Sequence, residues 1–149
     1  MANLVTLSFF SILFVHSLNS AYRWYDKFLW LDIPMHLIGG MWVALLFVYL
    51  FERNLLKLQQ VHFLKALVLC LGFVALTGIF WEFYEYLADV YVYKVHSLFL
   101  VTNPKNYPDT LSDIVNDLLG GSLALSLVYL ARKKIQKNKS KTPVNTASG

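Results

Sequence analysis

Long stretches without a charged residue constrain the fold of this chain more than any other sequence feature. Segments 33–51 and 66–81 contain no Asp, Glu, Lys or Arg and consist mainly of apolar side chains. Because a helix needs about 20 mostly apolar residues to cross a bilayer, such segments are typical of transmembrane helices. The charged fraction of 15% agrees with this interpretation, since a soluble domain carries about 25%.

Four segments have the composition of membrane spans, so we predict an all-α integral membrane bundle of four transmembrane helices. The predicted spans are residues 4–18, 33–51, 63–80 and 111–131. The first is short enough to resemble a signal peptide, but no basic residues precede it and no strong cleavage site follows it, so a retained span is expected. We assign residues 1–136 to the membrane domain and predict a disordered tail over 137–149.

The distribution of charge predicts the orientation of the bundle. Basic residues cluster between spans two and three and after span four, whereas eight of the nine acidic residues lie toward the opposite side. Because cytoplasmic loops carry an excess of Lys and Arg, both termini are predicted to be cytoplasmic. The basic segment Arg132–Lys141 is expected to face an anionic lipid leaflet, and no nucleic acid partner is expected.

Spans two and four begin with matching motifs. Residues 32–40 (DIPMHLIGG) and 113–121 (DIVNDLLGG) share the pattern D-I-x-x-[H/D]-L-x-G-G, which favours two duplicated helical hairpins. Each motif ends in a glycine pair, and the four residues are Gly39, Gly40, Gly120 and Gly121. Small residues let helix backbones approach closely in lipid, so these pairs are predicted to pack spans two and four together.

Polar residues recur at helical spacing at one end of these spans. The pairs are Asp32 and His36, Glu82 and Glu85, and Asp113 and Asp117. Each spacing of three or four places both side chains on one helix face. Because an ionised residue inside a span costs on the order of 2.5–3.5 kcal/mol at mid-helix, Asp117 indicates a function or a structural hydrogen bond. Asp113 is also explained by a capping box with Thr110.

Close packing of the spans is expected to bring His36, Glu82 and Asp117 together as acid/base catalysts or metal ligands. Glu85 and Asp113 complete the predicted metal-ligand set, with Asp32 in support. Histidine and carboxylates without a thiolate suit magnesium, calcium or manganese, and zinc also remains open. Without a metal, clustered carboxylates suit general acid/base chemistry or proton coupling.

These motifs resemble those of small bacterial membrane proteins grouped as VanZ-like or YjdF-like. The resembling stretches are residues 25–27, 32–40, 81–85 and 109–121. The order D…H…GG, then WE, then D-T-x-x-D-x-x-x-D-x-x-G-G is closer to the YjdF-like side, because it departs from the VanZ-like pattern after the glutamate motif and near Asp117. The resemblance implies a bacterial cytoplasmic (inner) membrane and a shared polar site, without an established reaction.

The leading hypothesis is a membrane enzyme or metal-binding protein whose site opens outward, near a lipid headgroup or an envelope precursor. Two alternatives remain open: a proton- or cation-coupled small transporter, and a structural or assembly subunit that pairs with another chain, including a second copy as a homo-oligomer. The inner half of every predicted span lacks acidic residues, which counts against a transport pathway.

Overall fold

The computed structural model describes residues 2–22, 24–54, 61–92 and 106–141. Helices account for nearly all of them: α1 (Ala2–Ala21), α2 (Trp24–Lys27), a 3-10 helix (Leu29–Leu31), α3 (Asp32–Asn54), α4 (Phe63–Tyr91) and α5 (Asn106–Lys141). No strand occurs within these described ranges. The all-α class predicted from the sequence is therefore confirmed.

Three of the helices are long and apolar enough to cross a membrane. The candidate spans are Asp32–Phe51 in α3, Phe63–Ala88 in α4 and Pro108–Asn138 in α5. The apolar part of α1, Val5–Asn19, belongs to a shorter class. A fourth crossing by α1 therefore stays a prediction.

Two of the helices extend further than the sequence pattern predicted. α4 continues beyond residue 80 through Glu82 and Glu85, whose side chains are partly buried, whereas Phe83 between them is exposed. α5 continues to Lys141 and so passes the predicted tail boundary at residue 137. Lys, Arg and Gln are good helix formers, which explains the extension. Residues 142–149 of the predicted tail lie outside the described residues.

α3 and α5 run in the same direction and form the most extensive helix pair. Gly40 of α3 packs against the backbone of Asp117, and Gly120 of α5 packs against the backbone of Leu37. The two motifs that match in sequence therefore meet each other in the bundle. Their duplication from one ancestral hairpin stays a prediction.

α1 and α4 run antiparallel to α3 and α5. At one end of the bundle, the rings of Phe63 in α4 and Tyr129 in α5 lie 4.9 Å apart. At mid-height, the indole of Trp42 donates a hydrogen bond to the Val5 carbonyl at 3.0 Å, which ties α1 to α3. All four long helices therefore share one bundle.

Apolar side chains fill the interior and also cover much of the outside. The buried core consists of Val43, Ala44, Phe47, Val48, Ala66, Cys70, Val74, Ala124 and Leu125. Along α5, exposed apolar residues recur every four positions: Leu111, Val115, Leu119, Leu123 and Leu127. An exposed apolar stripe of this length fits a helix whose outer face contacts lipid, since soluble monomers rarely expose large apolar patches.

Candidate functional site

Six polar side chains converge at the end of the bundle where α3 and α5 begin. We call them the acidic cluster: Asp32, His36, Glu82, Glu85, Asp113 and Asp117. α3 supplies the histidine and one aspartate, α4 supplies both glutamates, and α5 supplies the remaining two aspartates. The grouping of His36 with carboxylates from three helices agrees with the grouping that the sequence pattern predicted.

The imidazole of His36 lies at the centre of the cluster, and its two nitrogens have different surroundings. Nδ1 lies 3.5 Å from Oδ1 of Asp117. Nε2 lies 3.6 Å from Oδ1 of Asp32, 3.9 Å from Oδ1 of Asp113 and 4.0 Å from Oε1 of Glu82. A carboxylate that accepts a hydrogen bond from one ring nitrogen fixes the tautomer and leaves the other nitrogen available as a ligand or base.

Glycines explain how Asp117 comes so close to α3 and α4. A Cβ atom added at Gly40 would overlap the backbone oxygen of Asp117, and one added at Gly78 would lie 2.6 Å from its Oδ2. On the reciprocal side, a Cβ atom at Gly120 would overlap the carbonyl of Leu37. Only residues without a side chain permit this approach of the helices. The glycine motifs thus set the depth at which Asp117 meets His36.

Neighbouring groups hold the other carboxylates in position. Thr110 lies within hydrogen-bond reach of the Glu82 side chain, and Trp81 lies within such reach of Glu85. The side chain of Asp32 lies within hydrogen-bond reach of Asp113. Like charges disfavour joint ionisation, so a shared proton or a cation would stabilise two neighbouring carboxylates.

Glu82 has one buried oxygen that is available for a further ligand. Its Oε1 is buried and has no hydrogen-bond partner among the described residues. The same atom faces Nε2 of His36 at 4.0 Å. A buried polar atom without a partner is uncommon in folded proteins, and a bound water or ion often satisfies such an atom.

Two overlapping groups within the cluster have the spacing of metal ligands. They are Asp32, His36 and Asp113, and His36, Glu82 and Glu85, with ligand atoms that lie within 4.8 Å of one another. Calcium with ligands at about 2.4 Å separates adjacent ligand atoms by about 3.4 Å and opposite ones by about 4.8 Å. The distances from Nε2 fall within that range. For magnesium or manganese, with bonds of about 2.1 Å, the same two separations are about 3.0 and about 4.2 Å, and the distances from Nε2 fall within that range as well.

Two aspartates of the cluster approach His36 from different sides. Asp117, predicted as a catalytic residue and as a metal ligand, faces Nδ1 and lies outside the two ligand groups, and both of its roles stay predictions. Asp32 was expected only in support, yet its carboxylate faces Nε2 directly. The reason is that the two ring nitrogens lie on different edges of the imidazole, so that a carboxylate from α5 and one from α3 approach opposite sides.

The cluster is reached from the end of the bundle. The side chain of Asp32 is 30% exposed, whereas those of Glu82 and Asp113 are only 16% and 7% exposed. Of these three carboxylates, that of Asp32 is therefore the most open to solvent.

A cavity of about 160 Å³ adjoins the cluster between α1, α3 and α4. We call it the chain cavity, and it is bounded at one end by His36 and Asp117 and further along by Phe9, Leu13 and Val43. Polar and apolar linings thus follow one another along the same space.

Sequence reasoning missed two residues of this region, His16 and Gly78. His16 lines the chain cavity, and its ring lies 4.9 Å from that of Trp81. A single histidine in the apolar segment 4–18 was the available signal, but its height relative to His36 depends on how α1 packs. Gly78 lies one turn before Glu82, and only the approach of α5 gives that position a role.

Together, the fold and the cluster define a helical integral membrane protein with a buried histidine–carboxylate group at one end of its bundle. The chain belongs to a family of predicted membrane proteins, DUF2238, whose family model matches residues 1–134. This match supports the YjdF-like side of the resemblance and gives no specific support to the VanZ-like side. The chain matches no curated protein and no solved structure.

Proposed function

We propose that this protein is a divalent-cation-dependent membrane enzyme that acts on the polar headgroup of a lipid or envelope precursor. The acidic cluster holds the cation. The observation that carries the proposal is the convergence of carboxylates from three helices on Nε2 of one buried imidazole.

Charge balance is the main physical argument for a cation. The helical segments 2–21, 32–51, 66–91 and 106–131 contain no Lys or Arg, so imidazoles are the only cationic side chains within them. Removing an ion from water costs several kcal/mol unless a partner compensates it. One or two divalent cations would add positive charge beside the five clustered carboxylates, which these helical segments themselves supply only through imidazoles.

Each member of the cluster has a defined role in this proposal. Nε2 of His36 and the carboxylates that face it bind the cation, and Asp117 positions the imidazole through Nδ1. The oxygen-rich donor set favours magnesium, manganese or calcium over zinc. These residues would hold a cation, which would supply Lewis-acid chemistry toward a headgroup oxygen or a water molecule, and a neighbouring carboxylate would accept the proton.

The outward orientation of the site rests on the charge distribution. Basic residues concentrate at the opposite end of the bundle, in the loop before α4 and in the last turns of α5. The positive-inside rule then assigns the acidic cluster to the outer face of the cytoplasmic membrane. Headgroups of the outer leaflet and envelope precursors lie at that depth.

The two other functions have less support. A transport pathway needs polar groups beyond the cluster, yet Phe9, Leu13 and Val43 line the chain cavity in that direction. An assembly subunit would present its glycines to another chain, yet Gly40 and Gly120 pack within this one. Proton or cation flux through liposomes that depends on His36 would nevertheless favour transport.

Cation binding is tested first on the purified protein. Manganese binding is measured by calorimetry and elemental analysis after chelator-free purification. We expect one or two bound ions in the wild type, loss of binding in His36→Ala, and strongly weakened binding in Asp113→Asn. Asp109→Asn is the matched control, because Asp109 is exposed one turn earlier in the same helix. Absent binding in the wild type, or equal binding in His36→Ala, would contradict the cation site.

The reaction is tested separately. The protein is reconstituted with a bacterial total lipid extract, and the lipids are analysed by mass spectrometry with manganese or with chelator. We expect one lipid class to decrease with manganese and to remain unchanged with chelator or with His36→Ala. If the lipid composition stayed unchanged with manganese-loaded wild type, the proposed enzymatic activity would be refuted. The proposed cation site would not be affected by that result.

A further inference from the structure

We propose that the chain cavity binds one hydrocarbon chain of an amphiphilic substrate, whose polar head then reaches the acidic cluster. This inference rests on the proposed function for the fate of the head. It adds the class of the substrate: an amphiphile that places one alkyl or isoprenoid chain in the chain cavity and its reactive headgroup at the acidic cluster.

The order of linings along the cavity matches the order of groups in an amphiphile. At one end lie His36, Asp117 and His16, and beyond them lie apolar side chains such as Leu13 and Val43. A purely polar ligand leaves the apolar part empty, and a purely apolar one leaves the cluster without a partner. A molecule with a polar head and a hydrocarbon chain satisfies both parts.

The size of the cavity fits one chain segment. Apolar protein cavities of about 150 Å³ stay dry and bind hydrocarbons of the size of benzene, which has about six carbons. A cavity of about 160 Å³ therefore accepts a comparable segment of one chain. An empty space of this size also forfeits dispersion contacts along its walls, so occupation by a chain restores them.

A seam between α1 and α4 gives the chain a route from the bilayer. Trp42 holds α1 against α3, because it donates to the Val5 carbonyl at 3.0 Å and its ring lies 5.0 Å from that of Phe9. Among the described residues, the contact between α1 and α4 is slight, and it includes the ring pair of His16 and Trp81 near the cluster. A lipid chain can therefore enter sideways while its head remains at the acidic end.

The inference is tested by photolabelling with a dodecanol derivative that carries an aliphatic diazirine. The full-length protein is purified in a sterol-based detergent, whose rigid hydrophobe is too bulky for a cavity of this size. We expect saturable labelling of cavity residues, including Leu13, Val43 and Thr77, that excess unlabelled dodecanol prevents.

Two variants that fill the cavity and one matched control make the test specific. Leu13→Trp and Ile12→Trp add bulk to the wall of the cavity, whereas Phe14→Trp adds it to an exposed position of the same helix. We expect the two filling variants to lower saturable labelling by about tenfold, the effect of about two buried methylene groups. Phe14→Trp should leave labelling unchanged.

Manganese binding separates this inference from the proposed function. Labelling is measured on metal-free and on manganese-loaded protein. Manganese binding by Leu13→Trp or Ile12→Trp serves as the control that the variant has folded. Saturable labelling of metal-free protein supports the chain site even where the cation site fails. Non-saturable labelling confined to lipid-facing residues such as Phe80, or equal labelling of Leu13→Trp and Phe14→Trp, overturns the inference.

Discussion

At the scale of single residues, the acidic cluster is organised by the two edges of one imidazole. His36 is only 5% exposed, and its Nδ1 and Nε2 each face carboxylate oxygens from a different direction. The carboxylates on the Nε2 side converge on a space that a cation can occupy. Asp117 lies on the other side, and in the proposed cation site it would act through the ring. We therefore expect substitutions of Asp117 and of Asp113 to affect cation binding differently, although both side chains are buried.

The substitution Asp117→Asn tests that difference. We expect it to lower manganese affinity by about 10–100-fold while the number of bound ions stays the same, as is typical of groups that orient a histidine ligand. Asp113→Asn should weaken binding further, because it removes a charged ligand. Calorimetric titration measures both values. If Asp117→Asn changed the stoichiometry and Asp113→Asn did not, the assignment of the two aspartates would be reversed.

The substitution Gly78→Ala tests the position of the Asp117 carboxylate. The added methyl group would lie 2.6 Å from Oδ2, so the carboxylate must move while the backbone can stay in place. We expect weaker manganese binding with little change in thermal stability. Gly72→Ala is the control in the same helix, since a Cβ there meets nothing within 4 Å. Equal manganese affinity in the two variants would contradict the role of Gly78.

At the scale of helices, the crossing of α3 and α5 determines where the cluster forms. The contacts at this crossing are between backbones, because Gly40 meets Asp117 and Gly120 meets Leu37. In lipid, helix association depends on dispersion contacts and hydrogen bonds more than on the hydrophobic effect. Close glycine contacts are therefore a major source of stability for this pair.

The substitutions Gly40→Ala and Gly120→Ala test the crossing. Each added methyl group overlaps a backbone atom of the other helix, so we expect a loss of about 1–3 kcal/mol in the free energy of unfolding, as for other overpacked sites. Gly72→Ala should be neutral or stabilise its helix by up to about 1 kcal/mol. Thermal unfolding in detergent measures the three variants. Stability of Gly40→Ala equal to that of Gly72→Ala would show that the helices are further apart.

At the scale of the whole molecule, the bundle has one acidic and one basic end. The acidic cluster occupies the end where α3 begins, and the basic last turns of α5 extend from the other. Such an asymmetry specifies one orientation in the membrane.

Cysteine labelling in spheroplasts tests this orientation. Cys70 is the only cysteine and is buried, so it provides a low background. A membrane-impermeant maleimide should label Trp30→Cys, an exposed position at the acidic end, in intact spheroplasts. Lys134→Cys, an exposed position near the basic end, should react only after permeabilisation. The opposite pattern would assign the acidic cluster to the cytoplasmic face.

The sequence by itself determined the helical class, the approximate spans and the set of polar residues at one end. A backbone in lipid must satisfy its hydrogen bonds within its own segment, so an apolar stretch of sufficient length has few folds open to it. The matching motifs also placed His36 and Asp117 at corresponding depths. These features depend on residues that are close in the chain, which is why the pattern alone reveals them.

Only the tertiary structure decided which ring edge each carboxylate faces, that Asp32 joins the cluster directly, and that His16 lies beside the chain cavity. These contacts depend on the rotation of each helix about its axis and on its shift along the axis. A sequence pattern leaves that shift open by about one helical turn, or 5.4 Å. A distance of 3.5 or 3.6 Å to one nitrogen of His36 is smaller than that uncertainty. The close glycine contacts between α3 and α5 remove this uncertainty for the two helices, because they fix the rotation of each helix and its shift along its axis.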